Sequence, residues 1–133
     1  MDSVNTTIDN IHLATHLVYT AGNLAYRMRG QGLTIDTKTS ISDVVTQADR
    51  AAEEYVTSTL IQQRPDDSVL GEEGTLRLGE SGTRWTIDPV DGTYNFANNF
   101  EYWCSAIAFT ENDPTDPVRL RSRERYLSPS NTV

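Results

Sequence analysis

From Thr7 onward, apolar side chains recur at Ile8, Ile11, Ala14, Leu17 with Val18, Ala21, Leu24 with Ala25, and Met28, the three-and-four spacing of one helical face. Asn5, Thr6 or Thr7 is placed to cap this first helix, and Gly30 with Gly32 is expected to end it. His12 and His16 lie four apart on it without an evident third ligand, so they read as ordinary helix histidines. Residues 31–42 are polar and broken by Gly32, which predicts a loop or short hairpin carrying the sole lysine, Lys38. A second helix, capped by Ser42 or Asp43, shows an apolar face of Val44, Val45, Ala48, Ala51, Ala52, Tyr55, Val56 and Leu60. Asp49 sits at the edge of that face.

Beyond residue 63 the period changes from helical to alternating. Arg64 to Asp67 is turn chemistry, and Ser68-Val69-Leu70 is a short strand running into Gly71-Glu72-Glu73-Gly74. Leu76 to Thr83, with two glycines and few apolar residues, is expected to be a mobile connection. Arg84 to Ile87 is the next strand, and Thr93 starts one or two helical turns that run to Phe100. Tyr102 to Phe109 is apolar on both alternating faces, the pattern of a strand covered on both sides. Glu111-Asn112-Asp113-Pro114 reads as a hairpin tip. Arg119, Arg121, Arg123 and Arg125 then alternate in a segment that reads either as an edge strand with arginines on one side or as a disordered basic tail.

A chain of 133 residues predicts one domain, and 37% hydrophobic with 23% charged residues excludes both disorder and a coiled coil. The formal net charge is -8, yet residues 119–133 hold four Arg and one Glu, so the acidic excess lies in the body of the chain. An acidic body argues against a nucleic-acid partner and suits recruitment of divalent cations. Cys104 is the only cysteine, which forbids an intrachain disulfide and favours a reducing compartment. A basic-then-apolar leader is missing, and no window reaches the ~20 apolar residues of a membrane span. A soluble, cytoplasmic protein with no membrane partner is expected.

Ile87-Asp88-Pro89-Val90-Asp91-Gly92-Thr93-Tyr94-Asn95-Phe96 carries the chemistry. Two aspartates beside an apolar strand resist burial unless a cation compensates them. Hard cations such as Mg2+ take oxygen ligands, and Pro89 restrains a bend that lets both carboxylates and the Val90 carbonyl converge. Glu72, arriving from a neighbouring strand end, would complete the shell. Gly92 and Thr93 put free backbone amides at a helix start, where an anion is favoured. Two rival motifs fail. Counted from Asp88, a calcium-binding EF-hand loop would need an acid at its third position and a glutamate at its twelfth, which are Val90 and Asn99. Aspartyl phosphatases of the Asp-x-Asp-Gly-Thr kind have one residue between their acids, whereas Pro89 and Val90 make two.

Gly71-Glu72-Glu73, the Trp85 to Phe96 stretch, and Asp43-Val44-Val45-Thr46-Gln47-Ala48-Asp49 together resemble the inositol monophosphatase family of magnesium-dependent, lithium-sensitive phosphatases. The resemblance implies an α+β fold of layered α/β type, with two N-terminal helices on a largely antiparallel sheet. That arrangement is similar to the N-terminal half of the inositol monophosphatase and fructose-1,6-bisphosphatase sandwich. It further implies Glu72, Asp88, the Val90 carbonyl and Asp91 as Mg2+ ligands, and Asp91, Gly92 and Thr93 as the phosphate site. Thr93, oriented by Asp49, would help Glu72 activate a metal-bound water.

Residues 1–113 are then the metal- and phosphate-binding part, and 114–133 a divergent Arg-rich tail. Family members are roughly twice as long, so weak activity is expected of this chain alone. Apolar surface at residues 102–109 is expected to be covered by a dimer partner or a C-terminal half. The implied substrate is inositol 1-phosphate or a similar small phosphate ester. Histidinol phosphate, a 3'-nucleotide or a sugar phosphate is the alternative within the family, and a catalytically inactive metal- or phosphate-binding module the alternative outside catalysis.

Overall fold

The computed structural model describes residues 3–35, 41–111 and 119–127. Two helices, α1 (Ser3–Ile35) and α2 (Ile41–Gln63), precede the strands β1 (Ser68–Gly71), β2 (Leu76–Arg77), β3 (Thr83–Asp91), β4 (Cys104–Glu111) and β5 (Arg119–Leu127). A short helix, α3 (Thr93–Ala97), joins β3 to β4. The sheet order is β2-β1-β3-β4-β5, with β1 and β3 parallel and the other described pairs antiparallel. This is the expected α+β architecture, two helices layered on a mixed sheet. None of the described helices is long and apolar enough to cross a membrane.

Alternation decides which sheet face the helices cover. Trp85 and Ile87 of β3 stand opposite Phe109 and Ile107 of β4, and all four are buried. They pack with Leu13, Leu17 and Val18 of α1 and with Val56 and Leu60 of α2 in one core. Alanines at 14, 21, 25, 48 and 52 are also buried, and their small side chains let the helices approach closely. Trp85 lies 5.1 Å from the Phe109 ring, and its indole N–H donates to the Asp67 carboxylate at 2.9 Å. At the far end, Arg64 Nε donates to the buried Asn10 side chain at 2.9 Å and ties α2 to the first turns of α1.

Three expectations are corrected. Helix α1 does not stop at Gly30 or Gly32 but runs to Ile35. A helical glycine costs only about 1 kcal/mol, and the buried anchor Arg29 just before it offsets that cost. Helix α2 starts at Ile41, so Ser42 and Asp43 fall inside its first turn. Lys38 lies outside the described residues. The second correction concerns Leu76 to Thr83, expected to be mobile. Leu76 and Arg77 instead pair with β1, and the chain after them is tied to the preceding turn. Gly79 N–H donates to Ser68 Oγ, Ser81 N–H to the Asp66 carbonyl and Ser81 Oγ to the Asp67 carboxylate. A side chain at Gly79 would collide with the Asp66 and Asp67 backbone, so glycine is what permits the close approach.

The third correction concerns residues 102–109. Tyr102 is exposed, but Trp103 to Ile107 and Phe109 are buried and Ala108 is half-buried. The outward positions of β4 are the small Cys104, Ala106 and Ala108, seated between the flanking backbones of β3 and β5. Apart from Tyr102, the large exposed apolar side chains lie elsewhere, at Leu76, Leu78, Tyr94 and Phe100 among others. Of the two readings of the arginine-rich segment, residues 119–127 take that of an edge strand. The tip expected at 111–114 falls largely on residues 112–118, which with 128–133 lie outside the described residues.

Candidate metal and phosphate site

Asp88 and Asp91 are three apart, and in a regular strand of period two they would point to opposite faces. They do not. Asp88 pairs with Ala106 and Asp91 with Cys104, so β3 spends one residue more than β4 between the two pairs. This bulge returns Asp91 to the face of Asp88. Pro89 belongs in it because a proline withholds no ladder hydrogen bond where pairing is already broken. Its ring is buried, and its carbonyl accepts from the Ser105 hydroxyl. The bend expected at Pro89 is therefore a bulge inside β3, which continues to Asp91 rather than ending at Ile87.

The chain turns into α3 at Gly92, whose φ of 98° and ψ of 46° are left-handed. A residue with a Cβ is strained there, and the Cβ would also lie 3.3 Å from the Tyr102 carbonyl oxygen. The first amides of α3 have no intrahelical acceptor. Its far end closes tightly: Phe100 N–H donates to the Asn95 carbonyl and Asn99 N–H to that of Phe96, with Asn99 at a φ of 61°. Arg29 of α1, buried, donates to the Phe96 and Phe100 carbonyls and lies 4.8 Å from the Phe96 ring centroid and 5.6 Å from that of Trp103. Desolvation holds its guanidinium below the usual arginine range, against the opposing pull of Tyr26. Sequence reasoning missed this anchor, because a single arginine in a helix carries no sign of aromatic partners 67 residues away.

Parallel pairing of β1 with β3 brings Glu72 to Asp88. Gly71 stands beside Ile87, and Glu72 N–H donates to the Ile87 carbonyl at 3.2 Å. The two carboxyl groups lie close enough for Glu72 to act directly on Asp88. Burial first, then Glu72, Asp91 and Asp49, pushes the Asp88 carboxyl up to about 7. Burial likewise pushes Asp49 up to about 7, reinforced by Glu73, Glu72 and Glu53. Six acids, Asp49 and Glu53 of α2, Glu72 and Glu73 just after β1, and Asp88 and Asp91 of β3, thus make one cluster of negative charge.

Asp49 was expected to orient Thr93. In the structure the Thr93 hydroxyl donates to the Val90 carbonyl at 3.3 Å, while Asp49 is grouped with the glutamates. The same bond engages the Val90 carbonyl that was expected among the metal ligands. Glu53, not anticipated, is buried and holds the turn that presents Glu72. Its carboxylate accepts from Glu73 N–H at 2.8 Å, from Thr75 N–H at 3.3 Å and from the Thr75 hydroxyl at 2.6 Å, and it packs on Gly71. One signal was available: Glu53 follows Asp49 by four and so shares its helical face.

Asp91 is engaged from β5. Arg125 Nη1 lies 3.4 Å from Asp91 Oδ2 and 3.4 Å from Cys104 Sγ. Burial pushes the Cys104 thiol up, against the lowering pull of Arg125. Among the described residues, no three His, Cys, Asp or Glu side chains form a ready-made metal cage. The donor set nevertheless fits a hard divalent cation, since it offers carboxylate oxygens whose mutual repulsion is unrelieved at Asp88 and Asp49.

Acids thus gather at the carboxyl ends of the parallel strands β1 and β3, beside the start of α3, on an α+β fold of two helices layered on a mixed sheet. The sequence pattern of the inositol monophosphatase family matches residues 9–115, and the chain belongs to that family. It is 42% identical over 104 residues to a histidinol-phosphatase of Mycobacterium tuberculosis, covering 77% of this chain and 40% of that protein. To an inositol-1-monophosphatase of Synechocystis it is 35% identical over 104 residues, covering 77% of this chain and 36% of the relative. The solved structure of staphylococcal IMPase-II superposes with a TM-score of 0.67 at 26% identity, covering 91% of this chain and 48% of the other. The chain therefore spans well under half the length of these curated relatives.

Proposed function

We propose that this chain carries the metal- and phosphate-binding part of a Mg2+-dependent phosphomonoesterase acting on a small phosphorylated substrate. The observation that carries the reading is the bulge that sets Asp88 and Asp91 on one face, with Glu72 brought beside Asp88 by the parallel pairing of β1 with β3. Glu72, Asp88 and Asp91 would hold the cation, and the Gly92 and Thr93 amides would receive a phosphate oxygen. When bound, the cation supplies Lewis-acid polarisation of the phosphate and of the attacking water. Glu72 would accept a proton from that water, and Asp49, which acts on Asp88 from α2, would add its charge to the acidic cluster that draws the cation. Family membership supports lithium sensitivity and a cytoplasmic setting as further parts of the reading.

Two substrates follow from the relatives. The 42% match to a histidinol-phosphatase favours histidinol phosphate, and the inositol-1-monophosphatase match favours inositol 1-phosphate. Phosphate release from each ester with Mg2+ is the test. Activity that Asp91→Asn removes supports the proposal. Release no greater than a metal-free blank from either ester would sink it.

A further inference from the structure

The acids of the site have a cation already in reach, and it comes from outside the segment that matches the family. Arg125 is on the edge strand β5, ten residues past the end of the family match at 115. Its partner Ala106 on β4 is also the partner of Asp88 on β3, so the three positions stand in one row across the outer face of the sheet. From that row the guanidinium reaches Asp91 Oδ2 and Cys104 Sγ, each at 3.4 Å. Asp91 Oδ2 is an oxygen that a divalent ion would need. A guanidinium is charged at every working pH, so it does not leave by deprotonation.

We infer that Arg125 sets the divalent-metal affinity of this site by competing with the ion for Asp91; the inference rests on the metal reading above. Two effects act together. The guanidinium must give up Asp91 Oδ2 before the ion takes it, and its positive charge repels an ion held nearby. Both side chains of the pair are partly exposed, at 40% and 46%, so water screens the contact and the effect is moderate. It also weakens as salt rises.

Mn2+ binding, read from the loss of the free-ion paramagnetic resonance signal, tests this without turnover. Arg125→Gln should bind Mn2+ about threefold to tenfold more tightly than the unaltered chain in low salt, the gain shrinking in high salt. Arg125→Lys, which keeps the charge, should stay close to the unaltered chain. Adding Asp91→Asn to Arg125→Gln should abolish the gain, as expected if the coupling passes through Asp91. Equal or weaker binding by Arg125→Gln, or a gain that survives Asp91→Asn, overturns the inference alone. Binding by neither the unaltered chain nor Arg125→Gln overturns it together with the metal reading. An unchanged circular-dichroism melt of Arg125→Gln separates these outcomes from misfolding.

Discussion

Asp88 is where the conflict between fold and charge is sharpest. In the unfolded chain its proton leaves near 3.8, whereas in the fold burial and the neighbouring acids hold it to about 7. Between those values the folded state binds more protons, so stability falls as pH rises through the window. The metal-free chain, kept in chelator, should therefore melt at a higher temperature near pH 5 than near pH 8. Asp88→Asn should flatten that dependence, with Asp49 supplying what slope remains. A melt that rises steadily toward pH 8 would contradict the placement of these acids. Asp88 itself was legible in the sequence, since an aspartate beside an apolar strand demands compensation. Its nearness to Glu72 was not, because the 15 residues between them are bridged only by the parallel pairing of β1 with β3.

Among the elements, the turn after β1 depends most on a distant helix. Glu53 reaches from α2 to satisfy Glu73 N–H, Thr75 N–H and the Thr75 hydroxyl, so a buried carboxylate reinforces the Gly71–Gly74 turn that bears Glu72. Glu53→Ala leaves those donors without their acceptor and should cost about 1–3 kcal/mol in urea unfolding. It should also weaken Mn2+ binding, because Glu72 loses its fixed approach. Glu53→Gln keeps the shape and one acceptor, and should fall between the two. Helix α3 is pinned in the same manner from a distance. Its left-handed start at Gly92 was written in the motif, while its clamp by Arg29 depends on where α1 lies against it.

Across the whole molecule, charge imbalance and ligand binding meet in stability. A net charge of -8 with acids crowded at one end of the sheet should make the fold gain from any divalent ion it binds. At roughly ten times its Kd, Mg2+ should add about 1.4 kcal/mol, seen as a rise of several degrees in Tm. The rise should be larger at pH 8 than at pH 5, since protons compete for the same carboxylates. Asp91→Asn should lose most of it.

By itself the sequence determined what local periodicity and local chemistry can determine. Helical spacing announced α1 and α2, alternation announced β1 and β4, and Asp88-Pro89-Val90-Asp91-Gly92-Thr93 announced a candidate site and the family. These signals are read within a few residues, where backbone geometry and side-chain type suffice. Tertiary structure decided the rest: that α1 continues past Gly30, that Gly79 seats its loop, that a bulge turns Asp91 toward Asp88, and that Glu53, Arg29 and Arg125 reach the site from α2, α1 and β5. Each of those depends on a contact between segments distant in the chain. Such contacts follow from sheet register and helix packing, which no local pattern encodes.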